Sequence, residues 1–145
     1  MITVEPVPFE NLLKDAVSGY PDECCGFLYG RENTEGDRTI STIRVVNNAK
    51  DGDKRRRFAI TSKDYMQAER FAQENELILL GVYHSHPGHP AIPSEHDRVA
   101  ALPYFSYIII SVMQGQTDDI RSWRLNEDSQ FEEETYSPFY IKQIN

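Results

Sequence analysis

The sequence predicts an α/β protein in which a mixed sheet lies between helices. Two apolar runs, LILLGVYHS (77–85) and SYIIISVM (106–113), have the nearly continuous hydrophobicity of central strands that are covered on both faces. Segments with the apolar spacing of amphipathic helices lie before, between and after other strand-like segments. This alternation favours helices packed against both faces of one sheet.

The first half of the chain predicts one helix followed by three strands. The helix runs from about Phe9 to Val17, where apolar residues recur at i, i+3, i+4, i+7 and i+8. Pro8 suits a helix start and Ser18-Gly19 a helix end. The three strands are predicted at 24–29, 38–49 and 57–60.

The second half predicts a helix from Thr61 or Ser62 to about Glu76, with a polar cap and an apolar stripe through Tyr65 and Phe71. The strand at 77–85, a short helix from Ser94 to about Leu102, the strand at 106–113 and a hairpin partner at 120–125 follow. The full predicted order is strand-helix-strand-strand-strand-helix-strand-helix-strand-strand, with its first strand before the helix at Phe9.

Length and composition restrict the classes of protein. We expect 145 residues to form one domain, over 1–145, and 39% hydrophobic with 26% charged residues is ordinary for a globular protein. No apolar run reaches the roughly 18 to 20 residues of a membrane span, and the first residues do not have the pattern of a signal peptide. The adjacent Cys24 and Cys25 are poorly placed for a disulfide. We therefore expect a cytoplasmic protein with no membrane association.

The net charge of −8 argues against nucleic-acid binding, which needs a basic face to neutralise phosphates. The one basic run, Lys54 to Arg57, is interpreted as a solvated turn before a strand, with a docking patch for an acidic partner as the alternative. The sequence leaves the oligomeric state open.

All the histidines of the chain fall within the stretch HSHPGHPAIPSEHD (84–97): His84, His86, His89 and His96. His84 and His86 are two residues apart at the carboxyl end of a predicted strand, so their imidazoles point to one face and can bind one ion. Ligand sites in α/β sheets favour this end of a strand. Pro87 ends the strand because it cannot donate to the ladder.

Ser94 is a natural N-cap for the next helix, and Asp97 lies over the first turn of that helix. If the helix returns to the strand end, both residues lie beside the two histidines. Two histidines and one carboxylate leave the fourth position of a tetrahedral zinc open, as in catalytic sites. Alternatively, the histidines only form hydrogen bonds in a loop and S-x-x-D only starts a helix. Spacing alone leaves these two interpretations equally open.

The stretch HSHPGHPAIPSEHD resembles the motif H-x-H-P-x6-S-x-x-D of the JAMM (MPN-plus) zinc metalloproteases. The upstream stretch YPDECCGFLYG (20–30) is similar to the second signature of that family, in which a glutamate precedes a small apolar strand ending in glycine. The resemblance extends from the first helix to the strand at 106–113. It implies the three-layer, cytidine-deaminase-like JAMM/MPN fold.

The resemblance also implies roles for individual residues. His84, His86 and Asp97 would be the zinc ligands, Glu23 the general acid/base, and Ser94 a donor to the oxyanion. Without the resemblance, Glu23 would be interpreted as an exposed carboxylate at a strand start. The chemistry is consistent, because zinc lowers the pKa of its water to about 7 and a positioned carboxylate can carry that proton to a leaving amine. A serine hydroxyl can accept from an N–H while donating to an oxyanion.

Catalytic members of the family cleave amide or isopeptide bonds after the tail of ubiquitin or a ubiquitin-like protein. This compact chain is similar to the small prokaryotic branch, and residues 81–103 resemble peptidases that release cysteine from a sulfur-carrier protein during cysteine biosynthesis. The resemblance therefore implies a ubiquitin-like, sulfur-carrier protein substrate, with general isopeptide cleavage as a close second. A Gly-Gly tail would suit a narrow slot beside a sheet edge.

Three other interpretations fit the sequence less well. A non-catalytic scaffold of this fold typically lacks one of the motif positions, and all are present here. Cys24 or Cys25 as a nucleophile would need a base, while the zinc motif already uses the best histidines. A related deaminase would need H-x-E and P-C-x-x-C, which the sequence lacks. His89 is expected in an exposed loop or at the substrate entrance. His96 is rotated by about 100° from Asp97, so the two cannot both face the metal.

Overall fold

The computed structural model describes residues 1–47 and 59–138, which form eight strands and three helices. The helices are α1 (Pro6–Gly19), α2 (Ser62–Glu74) and α3 (Glu95–Ala100). The strands are β1 (Ile2–Val4), β2 (Cys25–Glu32), β3 (Arg38–Val46), β4 (Ile78–Pro87), β5 (Ser106–Met113), β6 (Gln116–Leu125), β7 (Phe131–Glu134) and β8 (Tyr136–Pro138).

All eight strands belong to one mixed sheet in the order β7-β6-β5-β4-β2-β3-β1-β8. The central strand β4 pairs in parallel with β5 and antiparallel with β2. Within the described residues, no helix has the length and apolar character needed to cross a membrane. The predicted α/β class with a mixed sheet flanked by helices is confirmed.

Most element predictions hold in the described parts of the chain, with shifted ends, but the strand predicted at 57–60 is not seen at Ala59 and Ile60. Helix α1 starts at Pro6, three residues before the prediction, because the prolines are accepted in its first turn. The predicted strand 38–49 is β3 up to Val46, and its last two positions lie outside the described residues. The first two residues of the predicted strand 57–60 lie outside the described residues, and the other two, Ala59 and Ile60, are not in a strand. The basic run at 54–57 is outside the description as well.

The sheet separates two hydrophobic cores, because neighbouring residues of a buried strand point to opposite faces. Helix α1 covers one face, where Phe9 and Leu12 pack on Leu28, Tyr83 and other residues. Helix α2 covers the other, and its core is Cys25, Phe27, Tyr29, Ala68, Ala72, Val82, Phe105 and Tyr107. His84 and His86 of β4 point to the face that α2 covers.

Gly81 allows β4 and β5 to pair at their closest approach. A Cβ at this position would lie 1.9 Å from the carbonyl oxygen of Ser106, the paired residue of β5. Farther along the two strands, the same parallel register pairs His84 with Ile109 and His86 with Ser111. The glycine thus helps to set which β5 residues lie beside the histidines.

Candidate active site

His84 and His86 lie at the carboxyl end of β4, buried on the face that α2 covers. Their relative exposures are 0% and 6%, and their ring centroids are 5.1 Å apart. The common face follows from the two-residue period of a strand. The strand ends at Pro87, and Gly88 then turns the chain with a φ of +75°, a conformation that glycine adopts without strain.

Asp97 reaches the histidines from the first turn of α3. The backbone nitrogen of Ser94 donates to Oδ2 of Asp97 over 2.8 Å, and the nitrogen of Asp97 donates to the Ser94 hydroxyl over 3.0 Å. This reciprocal cap fixes the carboxylate, whose Oδ2 lies 3.1 Å from Nε2 of His86. Its Oδ1 lies 3.7 Å from Nε2 of His84.

His84, His86 and Asp97 form a group that could hold a metal ion, because one ligand atom from each lies within 4.8 Å of the others. Nδ1 of His86 lies 2.9 Å from the carbonyl oxygen of Pro90, which can only accept, so this nitrogen carries the proton in the neutral ring. The lone pair on Nε2 of His86 then faces a carboxylate oxygen of Asp97. A cation bound between these two atoms would accept an electron pair from each. Two imidazole nitrogens and one carboxylate are a donor set that suits zinc.

The protonation states of His84 and Asp97 suit metal binding, whereas a proton on His86 would compete with a metal. Burial lowers the pKa of His84 to about 4 despite the nearby Asp97, so this ring is neutral at pH 7. Burial raises the pKa of Asp97, but His84, the bond to His86 and the N–H of Ser94 together hold it well below its usual range. Burial lowers the pKa of His86, but the bond to Asp97 and the carbonyl of Pro90 raise it by more. A metal binding here would replace the proton of His86.

Glu23 lies in the same place, although it comes from a segment sixty residues earlier. The residue is only 4% exposed, and its Oε1 lies 3.8 Å from Nδ1 of His84. The segment is held against β4 because the nitrogen of Cys24 donates to the Ser85 hydroxyl and the nitrogen of Ser85 donates to the carbonyl of Cys24. The interpretation of Glu23 as an exposed carboxylate is therefore wrong.

Two cavities adjoin the group. One has a volume of about 560 Å³ and is lined by Glu23, His86, His89, Pro90, Ile92 and Ser94. The other, of about 180 Å³, is lined by Ala59, Ile60, Tyr65, His84, His96, Asp97, Ala100 and Tyr107. The predicted acid/base and the predicted oxyanion donor thus share the larger cavity with one histidine of the group.

The remaining residues from the sequence analysis lie around the group. His89 is exposed, as expected for a loop residue, and it lines the larger cavity with its ring 5.9 Å from that of His86. His96 lines the smaller cavity and is not part of the metal group, as its helical position predicts. Cys24 and Cys25 are free and buried, and burial raises the pKa of both thiols, that of Cys25 to about 12. Buried, protonated thiols are unsuited to nucleophilic attack.

Sequence reasoning did not single out two side chains that hold the loop beside the histidines. The hydroxyl of Ser111 donates to the carbonyl of His89, and Nε1 of Trp123 donates to the carbonyl of Ala91 over 3.0 Å. Ser111 is a polar residue inside the apolar run SYIIISVM, which is a signal of a buried hydrogen bond. Trp123 offers no comparable signal apart from being the only tryptophan.

Comparison with known proteins identifies a family and several relatives of this chain. Residues 8–126 match the family described as prokaryotic homologs of the JAB domain. The desampylase of Pyrococcus furiosus is 24% identical over 128 residues, which cover 88% of this chain and 84% of the relative. The CysO-cysteine peptidase of Mycobacterium tuberculosis is 28% identical over 115 residues, which cover 79% and 75%.

Solved structures share the fold. A protein of Desulfitobacterium hafniense is 30% identical with a TM-score of 0.82, and the match covers 95% of this chain and 92% of that one. A JAB1/MPN domain protein of Archaeoglobus fulgidus is 15% identical with a TM-score of 0.60, over 94% and 97% of the two chains. The second likeness concerns the fold alone.

Proposed function

The chain belongs to the family of prokaryotic homologs of the JAB domain, and from this premise we propose that it is a zinc-dependent peptidase. It hydrolyses the amide bond after the C-terminal tail of a ubiquitin-like protein. One observation carries the proposal: the buried His84, His86 and Asp97 converge on one point, with Glu23 3.8 Å from His84. In this proposal the first three residues hold the zinc.

The protein residues divide the work of hydrolysis. Zinc held by His84, His86 and Asp97 would supply a nucleophilic water at neutral pH and would polarise the substrate carbonyl. Glu23 is placed to accept a proton from the water that attacks the carbonyl carbon. The same carboxyl returns the proton to the amine nitrogen when the carbon–nitrogen bond breaks. The products are the free tail acid and a free amine, which at neutral pH exchange the second proton of the water and become a carboxylate and an ammonium group.

Ser94 stabilises the oxygen that becomes negative during the attack. Its hydroxyl oxygen already accepts from the nitrogen of Asp97, so the geometry leaves the hydroxyl proton available for donation. Ser94 lines the larger cavity together with Glu23. Both residues therefore face the space in which the scissile bond would lie.

The names of the relatives support a protein-tail adduct as substrate, since one is a desampylase and the other a CysO-cysteine peptidase. We propose a sulfur-carrier protein joined to cysteine as the substrate. The second candidate is a general isopeptide conjugate of a ubiquitin-like protein, which the larger cavity of about 560 Å³ favours because it has room for more than a single cysteine.

The test combines metal analysis with a turnover assay. Protein purified without chelators should contain one zinc, and it should cleave a sulfur-carrier–cysteine adduct or a ubiquitin-like isopeptide conjugate but not a short unrelated peptide. Glu23→Gln should retain the zinc and lose turnover. Asp22→Asn, a change in the exposed neighbouring carboxylate, should retain both.

Two outcomes would overturn the proposal. A protein without zinc and without turnover would be a non-catalytic scaffold of the same fold. Full activity of Glu23→Gln would exclude the proposed acid/base. The ratio of the rates on the two conjugates decides between the two substrates.

A further inference from the structure

The orientation of His86 depends on one backbone carbonyl. Nδ1 of its ring lies 2.9 Å from the carbonyl oxygen of Pro90, and Nε2 on the opposite side of the ring lies 3.1 Å from Asp97. A hydrogen bond to Nδ1 selects the tautomer that has its lone pair on Nε2, and it fixes the rotation of the ring. The position of the Pro90 carbonyl therefore decides whether His86 is ready to bind a metal.

Pro90 lies in a loop that the sheet holds on both sides of this residue. The carbonyl of His89, the residue before, accepts from the Ser111 hydroxyl of β5. The carbonyl of Ala91, the residue after, accepts from the Trp123 indole of β6 over 3.0 Å. At the start of the loop, the nitrogen of Gly88 donates to the carbonyl of Val112 over 2.8 Å. The carbonyl groups before and after that of Pro90 are thus each held by a hydrogen bond from a side chain.

The strand register explains why Ser111 can do this. It is the residue of β5 paired with His86 of β4, so its hydroxyl points to the same face as the imidazole. The residue is fully buried between apolar neighbours, where a hydroxyl without a partner would be costly. Its bond to the loop satisfies the hydroxyl and holds the loop beside the histidine.

We propose that Ser111 and Trp123 are positioning residues of the metal site. They hold the loop so that the Pro90 carbonyl orients His86, and they thereby set the affinity for zinc. The inference rests on the zinc site proposed above and adds two residues from strands outside the histidine motif. Neither residue binds the metal or the substrate in this proposal.

The experiment measures the zinc dissociation constant of the full chain by competition with a chromophoric chelator. Ser111→Ala removes one donor, and Trp123→Phe removes the indole N–H but retains an aromatic ring. Ser122→Ala is the matched control, because Ser122 is also fully buried and its hydroxyl donates to Glu134 over 2.7 Å, on the opposite face of β6 from Trp123. Thermal unfolding of the zinc-free proteins reports any general loss of stability.

Both test variants should bind zinc about tenfold more weakly or worse, the usual effect of losing a partner in the outer shell of a metal site. Ser122→Ala should lose stability but retain the zinc affinity of the unchanged protein. Wild-type affinity in the test variants would overturn the inference and leave the proposed function standing. Absence of zinc binding by the unchanged protein would instead overturn the proposed function, and the inference with it. If Ser111→Ala does not fold, Trp123→Phe decides.

Discussion

Ser94 and Asp97 cap each other at the start of α3, each backbone nitrogen donating to the side chain of the other residue over 2.8 and 3.0 Å. The carboxylate oxygen that accepts from Ser94 also lies 3.1 Å from Nε2 of His86. Helix α3 has only six residues, so its first turn depends strongly on this cap. The capping box of a short helix thus also positions a candidate metal ligand.

The double role of Asp97 can be separated by substitution. Asp97→Asn keeps an oxygen that can accept from the nitrogen of Ser94, so we expect the free energy of unfolding to change by about 1 kcal/mol or less. The amide lacks the negative charge, and we expect the protein to lose most of its zinc and all measurable turnover. Denaturant titration and metal analysis check the two parts. A variant that retains zinc would exclude Asp97 as a ligand.

Ser94→Ala should lower turnover without removing the metal. Loss of one donor to an oxyanion typically costs about 10² to 10³ in rate, and loss of an N-cap about 1 kcal/mol in stability. Thr61→Ala is the control, because Thr61 and Asp64 form the same reciprocal cap on α2. It should lose similar stability and retain turnover. Equal rates for Ser94→Ala and the unchanged protein would contradict the proposed role of this hydroxyl.

Local pattern predicted the central strands and placed His84, His86 and Asp97 within reach of one another, although spacing alone left a metal site and a hydrogen-bonded loop equally open. The run at 77–85 has one periodicity, and the spacing of His84 and His86 within it fixes their common face. A helix that starts at the capping Ser94, shortly after the H-x-H motif, made Asp97 the candidate for the third ligand. These features depend only on residues that are close together in the sequence.

The position of Glu23 could not be predicted in this way, because it depends on how two distant strands pair. Antiparallel pairing brings Cys25 opposite His84, which carries the buried carboxylate to the site. The outer strands β7 and β8 were missed for a related reason. Their sequences, FEEE and YSP, lack a clear apolar alternation and become strands by pairing with β6 and β1.

The two cysteines should make stability fall at alkaline pH. Burial, and then the nearby Asp15, raise the pKa of both thiols, that of Cys25 from 9.0 to about 12. Below pH 9 both states of the chain keep these protons. From pH 9 to about 12 the unfolded chain releases them and the folded chain does not, so each thiol lowers the free energy of unfolding by about 1.4 kcal/mol per pH unit.

Denaturant titrations at pH 8, 9 and 10 measure this slope. The double variant Cys24→Ala, Cys25→Ala should show a shallower decline than the unchanged protein, and it should retain turnover. The same slope in both proteins would contradict the raised thiol pKa values. Loss of turnover with zinc still bound would instead indicate that one of the two cysteines takes part in the reaction.

Gly81→Ala should prevent stable folding or cost more than about 4 kcal/mol, among the largest effects of a single substitution. The added Cβ would lie 1.9 Å from the oxygen and 2.8 Å from the carbonyl carbon of Ser106, and backbone atoms of a central strand cannot move aside without breaking the ladder. Gly36→Ala is the comparison, since nothing lies within 4 Å of its Cβ and only its φ of +86° opposes the change. That strain should cost about 1 to 2 kcal/mol. Thermal unfolding ranks the two variants, and a smaller loss at Gly81 would contradict the close approach of β4 and β5 that aligns His86 with Ser111.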